Sequence, residues 1–312
     1  GLRYVMFAVQ GKTYHRLEPR AALNFILHKN VSMKLSYTEM NQYIHNISTS
    51  NLDIPTNIWM PTTAKTAPML SRQVAAGVYS LLPLGFTLDV EGYFKTMDHL
   101  REYCGYSMLY PPIEDWEKEF SEGKGISYGA EVTLGYNTEK VNVSAAYTLS
   151  WTKRKFEEIY PEWFFNLQAD WFLNWNDNRH KLTLSATWKI TDRIDVYAAW
   201  NYRSGNRMTV DGYDSTFNRV ISYEFPFRGF GLLGSTPYNL ILPAYHRLDL
   251  GANFRKTTKR GNESIWTVSI YNAYCRMNPM SAYIQTDEDG NTYGVATGII
   301  PIIPSFSYTL KF

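Results

Sequence analysis

Strict alternation of apolar and polar side chains at the end of the chain limits the fold more than any other sequence feature. Within residues 306–312 the apolar positions are Phe306, Tyr308, Leu310 and Phe312, and the polar ones are Ser307, Thr309 and Lys311. Successive side chains of a β-strand point to opposite faces, so this segment predicts one apolar and one polar face. A terminal aromatic residue on such a strand is typical of a closing membrane-barrel strand, with lipid outside and a wet lumen inside.

The same alternation repeats along the chain, which makes the pattern much more specific than a single strand. It recurs in residues 86–91, 126–137, 141–152, 182–190, 194–203 and 247–255. The polar positions are rich in Ser, Thr, Asn and Gly, with scattered charges of both signs, whereas a fully solvated exterior carries more Lys and Glu. The repeats therefore predict an all-β, antiparallel transmembrane barrel rather than a soluble sandwich.

Composition supports this reading and excludes several others. Aromatic residues make up 16% of the 312-residue chain, an excess that fits aromatic girdles at two membrane interfaces. Mean hydropathy is −0.32, and no apolar run approaches the roughly 20 residues of a membrane helix. The net charge of +2 has interspersed signs, so we expect no nucleic-acid partner.

Short and long links between the predicted strands alternate. Short links are expected near residues 28–31, 82–85, 137–140, 191–193 and 257–263, and long ones near 46–70, 98–125, 152–179, 205–243 and 276–304. Only the link near residues 11–15 breaks the rhythm. Short periplasmic turns opposite long extracellular loops are how outer-membrane barrels are built. The spacing predicts about 12 strands, with both chain ends on the short-turn side.

Several short motifs together resemble one protein family. They are Leu17-Glu18-Pro19-Arg20, Lys34-Leu35-Ser36-Tyr37, Asn41-Gln42-Tyr43-Ile44-His45, the Pro55, Trp59 and Pro61 positions, Gln73 to Gly77, Glu91 to Met97, Gly125 to Glu131, Tyr147 to Ser150, Arg179 to Leu182, Trp200 to Gly205, Tyr245 to Leu250 and the terminal Phe312. Their order is similar to that in the C-terminal barrel half of TonB-dependent outer-membrane receptors, especially those of Bacteroidetes-type bacteria. The resemblance extends over nearly the whole chain.

The resemblance implies a bacterial outer-membrane location and a plugged barrel of 22 strands that imports a scarce nutrient. The nutrient is a siderophore-iron complex, a vitamin, a peptide or a glycan, and these alternatives stay open. Residues 1–312 read as the C-terminal part of the barrel, without the plug domain and without the N-terminal region that contacts the TonB complex. The family therefore implies TonB and the plug as partners, besides membrane lipid or lipopolysaccharide. Whether the chain is a fragment or a complete product, and whether a lipoprotein caps it, is left open.

Five charged residues are predicted to face the lumen. They are Lys34, Asp89, Glu91, Glu131 and Arg255. In a complete transporter such residues contact the plug or the passing substrate. The simpler alternative is a ladder of cross-strand ion pairs that stiffens the barrel wall.

Four residues are candidates for contact with an external ligand. Arg203 and Arg207 lie at the upper end of a predicted strand, where two guanidinium groups suit carboxylate or phosphate. Their alternative partners are lipid headgroups or neighbouring carboxylates. Trp163 and Trp171 belong to an aromatic stretch in residues 159–175, which forms either a ligand-facing wall or the core of a packed loop.

The sequence indicates no enzyme, no cofactor and no metal site. The histidines share no metal-binding spacing, and phosphate-binding, dinucleotide-binding and nucleophile-elbow motifs are not found. The two cysteines, Cys104 and Cys275, form an exposed disulfide or remain free thiols. The main alternative to the receptor is a self-contained 12-strand barrel, as in a passive channel or an autotransporter translocator. A barrel-embedded lipase and a soluble adhesive β-protein are more distant alternatives.

Overall fold

The computed structural model describes residues 1–48, 57–103, 117, 120–156, 171–208, 213–214, 219–220, 240–258, 261–286, 292–298 and 300–312. Nearly all of its regular structure is β. The strands are β1 (Leu2–Val9), β2 (Lys12–His28), β3 (Val31–Gln42), β4 (Ile44–Ser48), β5 (Asn57–Pro61), β6 (Met69–Leu81), β7 (Phe86–Tyr103), β8 (Phe120–Asn137), β9 (Val141–Phe156), β10 (Phe172–Leu173), β11 (His180–Lys189), β12 (Ile194–Arg203), β13 (Arg207–Met208), β14 (Tyr213–Asp214), β15 (Arg219–Val220), β16 (Leu240–Ile241), β17 (Tyr245–Thr257), β18 (Glu263–Tyr271), β19 (Pro279–Thr286), β20 (Thr292–Gly298) and β21 (Ile303–Lys311). A 3₁₀ turn, Pro83–Gly85, joins β6 to β7.

One large antiparallel sheet dominates the described part of the chain. Its 13 strands follow the order β1-β2-β3-β6-β7-β8-β9-β11-β12-β17-β18-β21, with the short β10 paired to β9 off this path. Twelve strands thus form a continuous meander, as the sequence predicts. Every neighbouring pair on this path is antiparallel. The predicted rhythm is also found, because short turns and long connections alternate, apart from the two-residue turn at Gln10-Gly11.

The two faces of this sheet differ sharply in polarity. On one face, large apolar side chains are open to the surroundings, among them Leu23, Phe25, Val90, Phe94, Leu250 and Phe254. A soluble monomer rarely exposes so large an apolar surface, whereas a membrane barrel covers it with lipid. We call this the apolar face and its opposite the polar face. The prediction of an all-β, membrane-barrel fold is confirmed by this architecture.

Aromatic clusters mark both ends of the apolar face. Near the short-turn end, the Trp266 ring centroid lies 5.1 Å from that of Phe306 and 4.6 Å from that of Tyr308. Nearer the loop side, Tyr128 stacks between Phe94 and Trp151, at 6.5 and 5.2 Å. Amphipathic rings gather at membrane–water interfaces, so these clusters correspond to the two girdles that the composition predicts.

The sheet has two open edges among the described residues. β1 and β21 end the strand order and do not pair with each other. β1 pairs with residues 12–19 of β2, so Leu2 lies level with Pro19. The prediction that both chain ends lie on the short-turn side is therefore wrong for residue 1, because the short-turn end of β2 is at His28. Residues 20–28 of β2 pair with β3 on one side only among the described residues. Unpaired backbone groups are not tolerated in lipid, so in a membrane these edges must pair with each other or with other strands.

Three strands continue beyond the membrane-facing band on the loop side. β7, β8 and β9 are longer than the sequence indicates, so the predicted bounds of the links at 98–125 and 152–179 are wrong. The extension has its own hydrophobic core of Leu100, Phe156 and Phe172. A register shift between Met97 and Leu100 re-aims β7 so that Leu100 packs there, which strict alternation does not foresee.

Small hairpins lie within the long connections. β4 pairs with β5 and β19 with β20. Among the residues described, no helix is long and apolar enough to cross a membrane.

Candidate functional site at the loop-side mouth

Arg203 is an exposed cation on the polar face at the loop-side end of the sheet, opposite the equally exposed Lys181 of β11. It is the last residue of β12, and its partner in register is Tyr245 at the start of β17. The guanidinium carbon lies 4.4 Å from the centroid of the Tyr245 ring. Among the described residues no carboxylate forms an ion pair with Arg203, whose side chain is exposed. The cation is therefore held by a ring yet is open to an anionic ligand.

Next to it, Arg247 is fully engaged by neighbouring side chains. Its Nε donates to Asp249 Oδ2 at 2.9 Å, and one terminal nitrogen donates to the hydroxyls of Tyr245 and Tyr271 at 3.0 and 2.6 Å. A second terminal nitrogen lies 2.8 Å from the same carboxylate oxygen. This network fixes the Tyr245 ring through its hydroxyl, and the fixed ring in turn supports Arg203.

A buried carboxylate, Asp177, lies in the connection between β10 and β11 and joins it to neighbouring parts of the chain. The side chain is 1% exposed and lies 3.1 Å from Arg179 and 3.9 Å from Arg207. Its Oδ1 accepts a hydrogen bond of 2.8 Å from the Thr152 amide at the upper part of β9. Nearby, the Asn178 amide donates to the Ser204 carbonyl at 2.8 Å. These contacts attach the connection to the ends of β9 and β12.

Arg207 therefore has a different environment from Arg203, although the sequence pairs them as ligand contacts. Burial lowers the pKa of the Arg207 guanidinium and the charge of Arg179 lowers it further, while Asp177 opposes both. The Nε atoms of Arg179 and Arg207 are buried without a hydrogen-bond partner. Arg207 is an element of the Asp177 cluster with one donor left over, and contact with a ligand stays a prediction for both arginines.

The structure describes one of the two predicted tryptophans, Trp171. Trp171 is 39% exposed and immediately precedes β10, where Phe172 enters the core with Phe156 at 6.1 Å between ring centroids. Trp163 lies outside the described residues. The aromatic stretch thus supplies at least one core residue, Phe172, which agrees with the packed-loop alternative for that position.

The predicted lumen charges fall into two groups on the polar face. Lys34, Gly77, Glu91 and Glu131 are consecutive partners across β3, β6, β7 and β8. The Lys34 ammonium lies 4.4 Å from the Tyr79 ring centroid, and the Tyr79 hydroxyl donates to Glu91 at 2.7 Å. A Cβ at Gly77 would lie only 3.0 Å from the Tyr79 hydroxyl, so glycine leaves room for this ring to lie across the strand.

Two carboxylates in the first group directly face each other. Glu91 is the register partner of Glu131, and Asp89 is two residues away along β7. Like charges directly opposite on one face repel. This part of the wall is consequently acidic, with Lys34 connected to it only through the Tyr79 ring.

The second group is a closed ion-pair ladder near the short-turn end. Arg255 forms an ion pair with the buried Asp195 and lies 3.8 Å from Glu263, which also contacts Lys311 at 3.2 Å. Asn253 donates to Asp195 at 2.7 Å. The contacts of Arg255 are those of the ion-pair alternative in the sequence analysis.

Tyr245, Tyr79 and Asp177 are the residues that sequence reasoning missed. Tyr245 lies opposite Arg203 in the antiparallel pair of β12 and β17. Alternation within each strand does not give the register between the two strands, so the sequence alone does not show this contact. Asp177 lies in a long connection with no periodicity, so nothing in the sequence marks it as a hub. The described residues hold no cluster of three or more His, Cys, Asp or Glu side chains that suits a metal ion.

Of the two cysteines predicted to form an exposed disulfide or to remain free, the structure describes one. Cys275 is a free, exposed thiol, and Cys104 lies outside the described residues.

The sequence matches no family model and no curated protein, but its fold matches solved structures. The ferric preacinetobactin receptor of Acinetobacter baumannii is 13% identical, with a TM-score of 0.53 over 96% of this chain and 37% of its own. The iron transporter FrpB of Neisseria meningitidis is 11% identical, with a TM-score of 0.57 over 96% and 40%. The ferripyoverdine receptor of Pseudomonas aeruginosa is 14% identical, with a TM-score of 0.53 over 95% and 33%.

The described sheet has the fold of part of the barrel of these outer-membrane receptors. The chain spans between 33% and 40% of the length of these three receptors. At this level of identity the likeness concerns the fold, and it agrees with the outer-membrane location that the sequence predicts. A Bacteroidetes-type origin is not distinguished by these structures.

Proposed function

We propose that this chain forms part of the barrel wall of a TonB-dependent receptor in a bacterial outer membrane. The observation that carries the proposal is the open twelve-strand meander, whose apolar face suits lipid. Its fold matches 37% and 40% of the lengths of two solved receptors. The remaining strands, the plug and the TonB-contact region would come from polypeptide outside residues 1–312. The motif order in the sequence favours a Bacteroidetes-type member.

The nutrient is proposed to be an anionic iron chelate. Arg203 presents a ring-supported cation without an ion-pair partner among the described residues, and such a group binds carboxylate or phenolate oxygens. The solved neighbours include receptors for ferric preacinetobactin and ferripyoverdine, which supports iron chelates ahead of vitamins, peptides and glycans. Trp163, Trp171 and Arg207 are the further ligand contacts that the proposal assigns.

Release of the nutrient would occur past the acidic polar face. Lys34, Asp89, Glu91 and Glu131 are proposed to face the plug and the passing substrate, whereas Arg255 is proposed to stiffen the wall. No side chain in this account performs bond chemistry, so we propose a transporter and not an enzyme.

The second candidate is a self-contained 12-strand barrel, acting as a passive channel or an autotransporter translocator. The even strand number is compatible with it. It requires β1 and β21 to pair, and the described structure holds them at opposite edges of the sheet.

An uptake experiment tests the proposal. Cells that carry the whole receptor gene are supplied with radiolabelled ferric chelates, with and without a proton uncoupler. We expect uptake that the uncoupler abolishes and that Arg203→Gln weakens about tenfold in half-saturating concentration, equivalent to ~1.4 kcal/mol. Lys189→Gln, an exposed cation at the short-turn end, is the matched control and should behave as wild type. Uptake that persists with the uncoupler would support the passive channel and sink the receptor.

A further inference from the structure

Two exposed cations face each other across strands β11 and β12 at the loop-side mouth. Lys181 is the register partner of Arg203, and both side chains lie on the polar face. Facing residues of an antiparallel pair have Cβ atoms about 4.5–5.5 Å apart, and like charges in this position repel each other. The pairing continues beyond them, because the Ser204 amide donates to the His180 carbonyl at 2.9 Å and the His180 amide donates to Ser204 Oγ at 3.1 Å. The paired backbone therefore holds the two cations side by side.

Neither cation has an ion-pair partner in the part of the chain that the structure describes. Across β9, the register row from Lys181 passes Thr148 and reaches the first carboxylate at Glu131. Two strand spacings of about 4.8 Å separate Glu131 from Lys181 by ~10 Å, roughly one Debye length at 0.1 M salt. On the other side of Arg203 the row continues to Tyr245, which carries no charge at neutral pH. The two positive charges at the mouth are thus uncompensated.

The same two strands pair opposite charges at their short-turn end. There Lys189 is the register partner of Asp195, a buried carboxylate that also forms an ion pair with Arg255. Cations that stiffen the wall have carboxylate neighbours, as in this ladder. The lysine–arginine pair at the mouth has none among the described residues, and the repulsion between its members lowers stability when the site is empty. An anionic ligand that contacts both cations would remove this repulsion.

The two cations offer different and complementary donors to such a ligand. The Arg203 guanidinium carbon lies 4.4 Å from the Tyr245 ring centroid, so one face of the guanidinium packs on the ring. Its five N–H donors lie in the guanidinium plane, where two of them can bind one carboxylate in parallel. Lys181 adds a flexible point charge with three donors. Because both side chains are exposed, a ligand in the lumen can reach them together.

We propose that Lys181 and Arg203 form a two-cation subsite that binds two acidic groups of one ligand. Arg203 binds one group, and Lys181 binds a second group about 5 Å away. The inference rests on the proposed function, since it concerns the same mouth. It narrows the anionic iron chelate to one with at least two acidic groups that the iron leaves free. It also makes Lys181 a residue that determines specificity.

Binding of simple anions to the whole receptor tests the subsite without any uptake. Lysines are converted to their ¹³C-dimethyl form, which keeps the positive charge, and the Lys181 signal is identified by its loss in Lys181→Arg. Glutarate, a dianion, and acetate are titrated at constant ionic strength. We expect glutarate to shift the Lys181 signal at a half-saturating concentration about fivefold or more below that of acetate, because both cations then bind one molecule. Lys189, which faces Asp195 on the same strands, is the internal control and should show no such preference.

Substitution of Arg203 distinguishes two cooperating cations from one. In Arg203→Gln the two half-saturating concentrations should lie within about twofold of each other, because a single lysine does not hold both carboxylates. Arg203→Lys should keep the preference for glutarate. Equal titrations by the two anions in wild type would overturn the proposal, as would a preference that persists unchanged in Arg203→Gln. A wild type that responds to neither anion would also overturn it, because another part of the receptor then engages both cations.

The result is separable from that of the uptake experiment. Uptake that the uncoupler abolishes, together with equal titrations by glutarate and acetate, would support the receptor and overturn the two-cation subsite. Uptake that persists with the uncoupler, together with the predicted preference for glutarate, would overturn the receptor function and support the subsite.

Discussion

At the scale of single residues, charge compensation separates structural arginines from available ones. Arg247, Arg255 and Arg207 each contact a carboxylate, whereas Arg203 is held by an aromatic ring alone among the described residues. The sequence identifies Arg203 and Arg207 as equivalent candidates because both lie at the upper end of one predicted strand. Their difference depends on Asp177, which approaches Arg207 from a different connection. Strand alternation in the sequence carries no information about that approach.

Neutralising Asp177 tests the structural role of its cluster. Asp177→Asn keeps an acceptor for the Thr152 amide but removes the charge between Arg179 and Arg207. Breaking a fully buried ion pair costs about 3–5 kcal/mol, and with partly exposed arginines we expect ~1–3 kcal/mol. Limited proteolysis of the loop side should accelerate accordingly. The control Asp192→Asn alters an exposed turn residue and should leave cleavage unchanged; equal cleavage of both variants would contradict the assignment.

His45 makes the β4–β5 hairpin sensitive to pH. Its side chain is 1% exposed, and burial, followed by the charge of Arg101, lowers its pKa from 6.5 to about 4. The unfolded hairpin takes up a proton near pH 6.5, whereas the folded one resists protonation until about pH 4. Stability is therefore complete above pH 6.5 and is lost as the pH falls toward 4, by roughly 3 kcal/mol in total.

Hydrogen exchange of the hairpin amides measures this effect. After correction for intrinsic rates, protection of β4 and β5 should decline between pH 6.5 and 4.5. His45→Gln, which keeps a polar group near Thr62 but does not titrate, should show a much flatter profile. A wild-type decline that is identical in His45→Gln would assign the pH response to other groups.

At the scale of strands, alternation specifies which face meets lipid. This part of the fold is predictable from sequence, because period-two patterns in β8, β9, β11, β12 and β17 and short turns fix both strand order and register parity. The upper extensions of β7–β9 are not predictable in this way. There the apolar residues Leu100, Phe156 and Phe172 pack against one another. Their burial depends on a connection that folds back onto the strands, and the period-two pattern does not predict it.

Adjacent alanines in β12 provide a direct test of this assignment. Ala198 lies on the apolar face between Ala186 and Leu250, whereas Ala199 points to the other face, opposite Asp249. Ala198→Arg should cost about 2–4 kcal/mol, as a cation on the lipid face near the bilayer midplane does. Ala199→Arg should be nearly neutral. Urea titrations of the whole receptor in bilayers compare the free energies of unfolding of the two variants. A larger loss for Ala199→Arg would contradict the assignment of the lipid-facing side of the sheet.

At the scale of the whole molecule, the open sheet determines what the chain needs in order to function. The edges formed by β21 and by residues 20–28 of β2 offer unpaired backbone groups. We expect residues 1–312 expressed alone to show no heat-dependent shift in gel migration, which folded barrels show. The same residues within the whole receptor should show it. A heat-modifiable 312-residue product would indicate that β1 and β21 close on each other.

The mass of the native outer-membrane species that contains these peptides tests the central claim most directly. Intact-protein mass spectrometry of outer-membrane extracts, with peptide identification from residues 1–312, provides it. The receptor account predicts a polypeptide, or a stable complex of polypeptides, far heavier than the 36.1 kDa of this chain, since the chain spans 33–40% of the solved receptors compared above. A folded membrane species of 36.1 kDa would contradict it and establish the self-contained barrel.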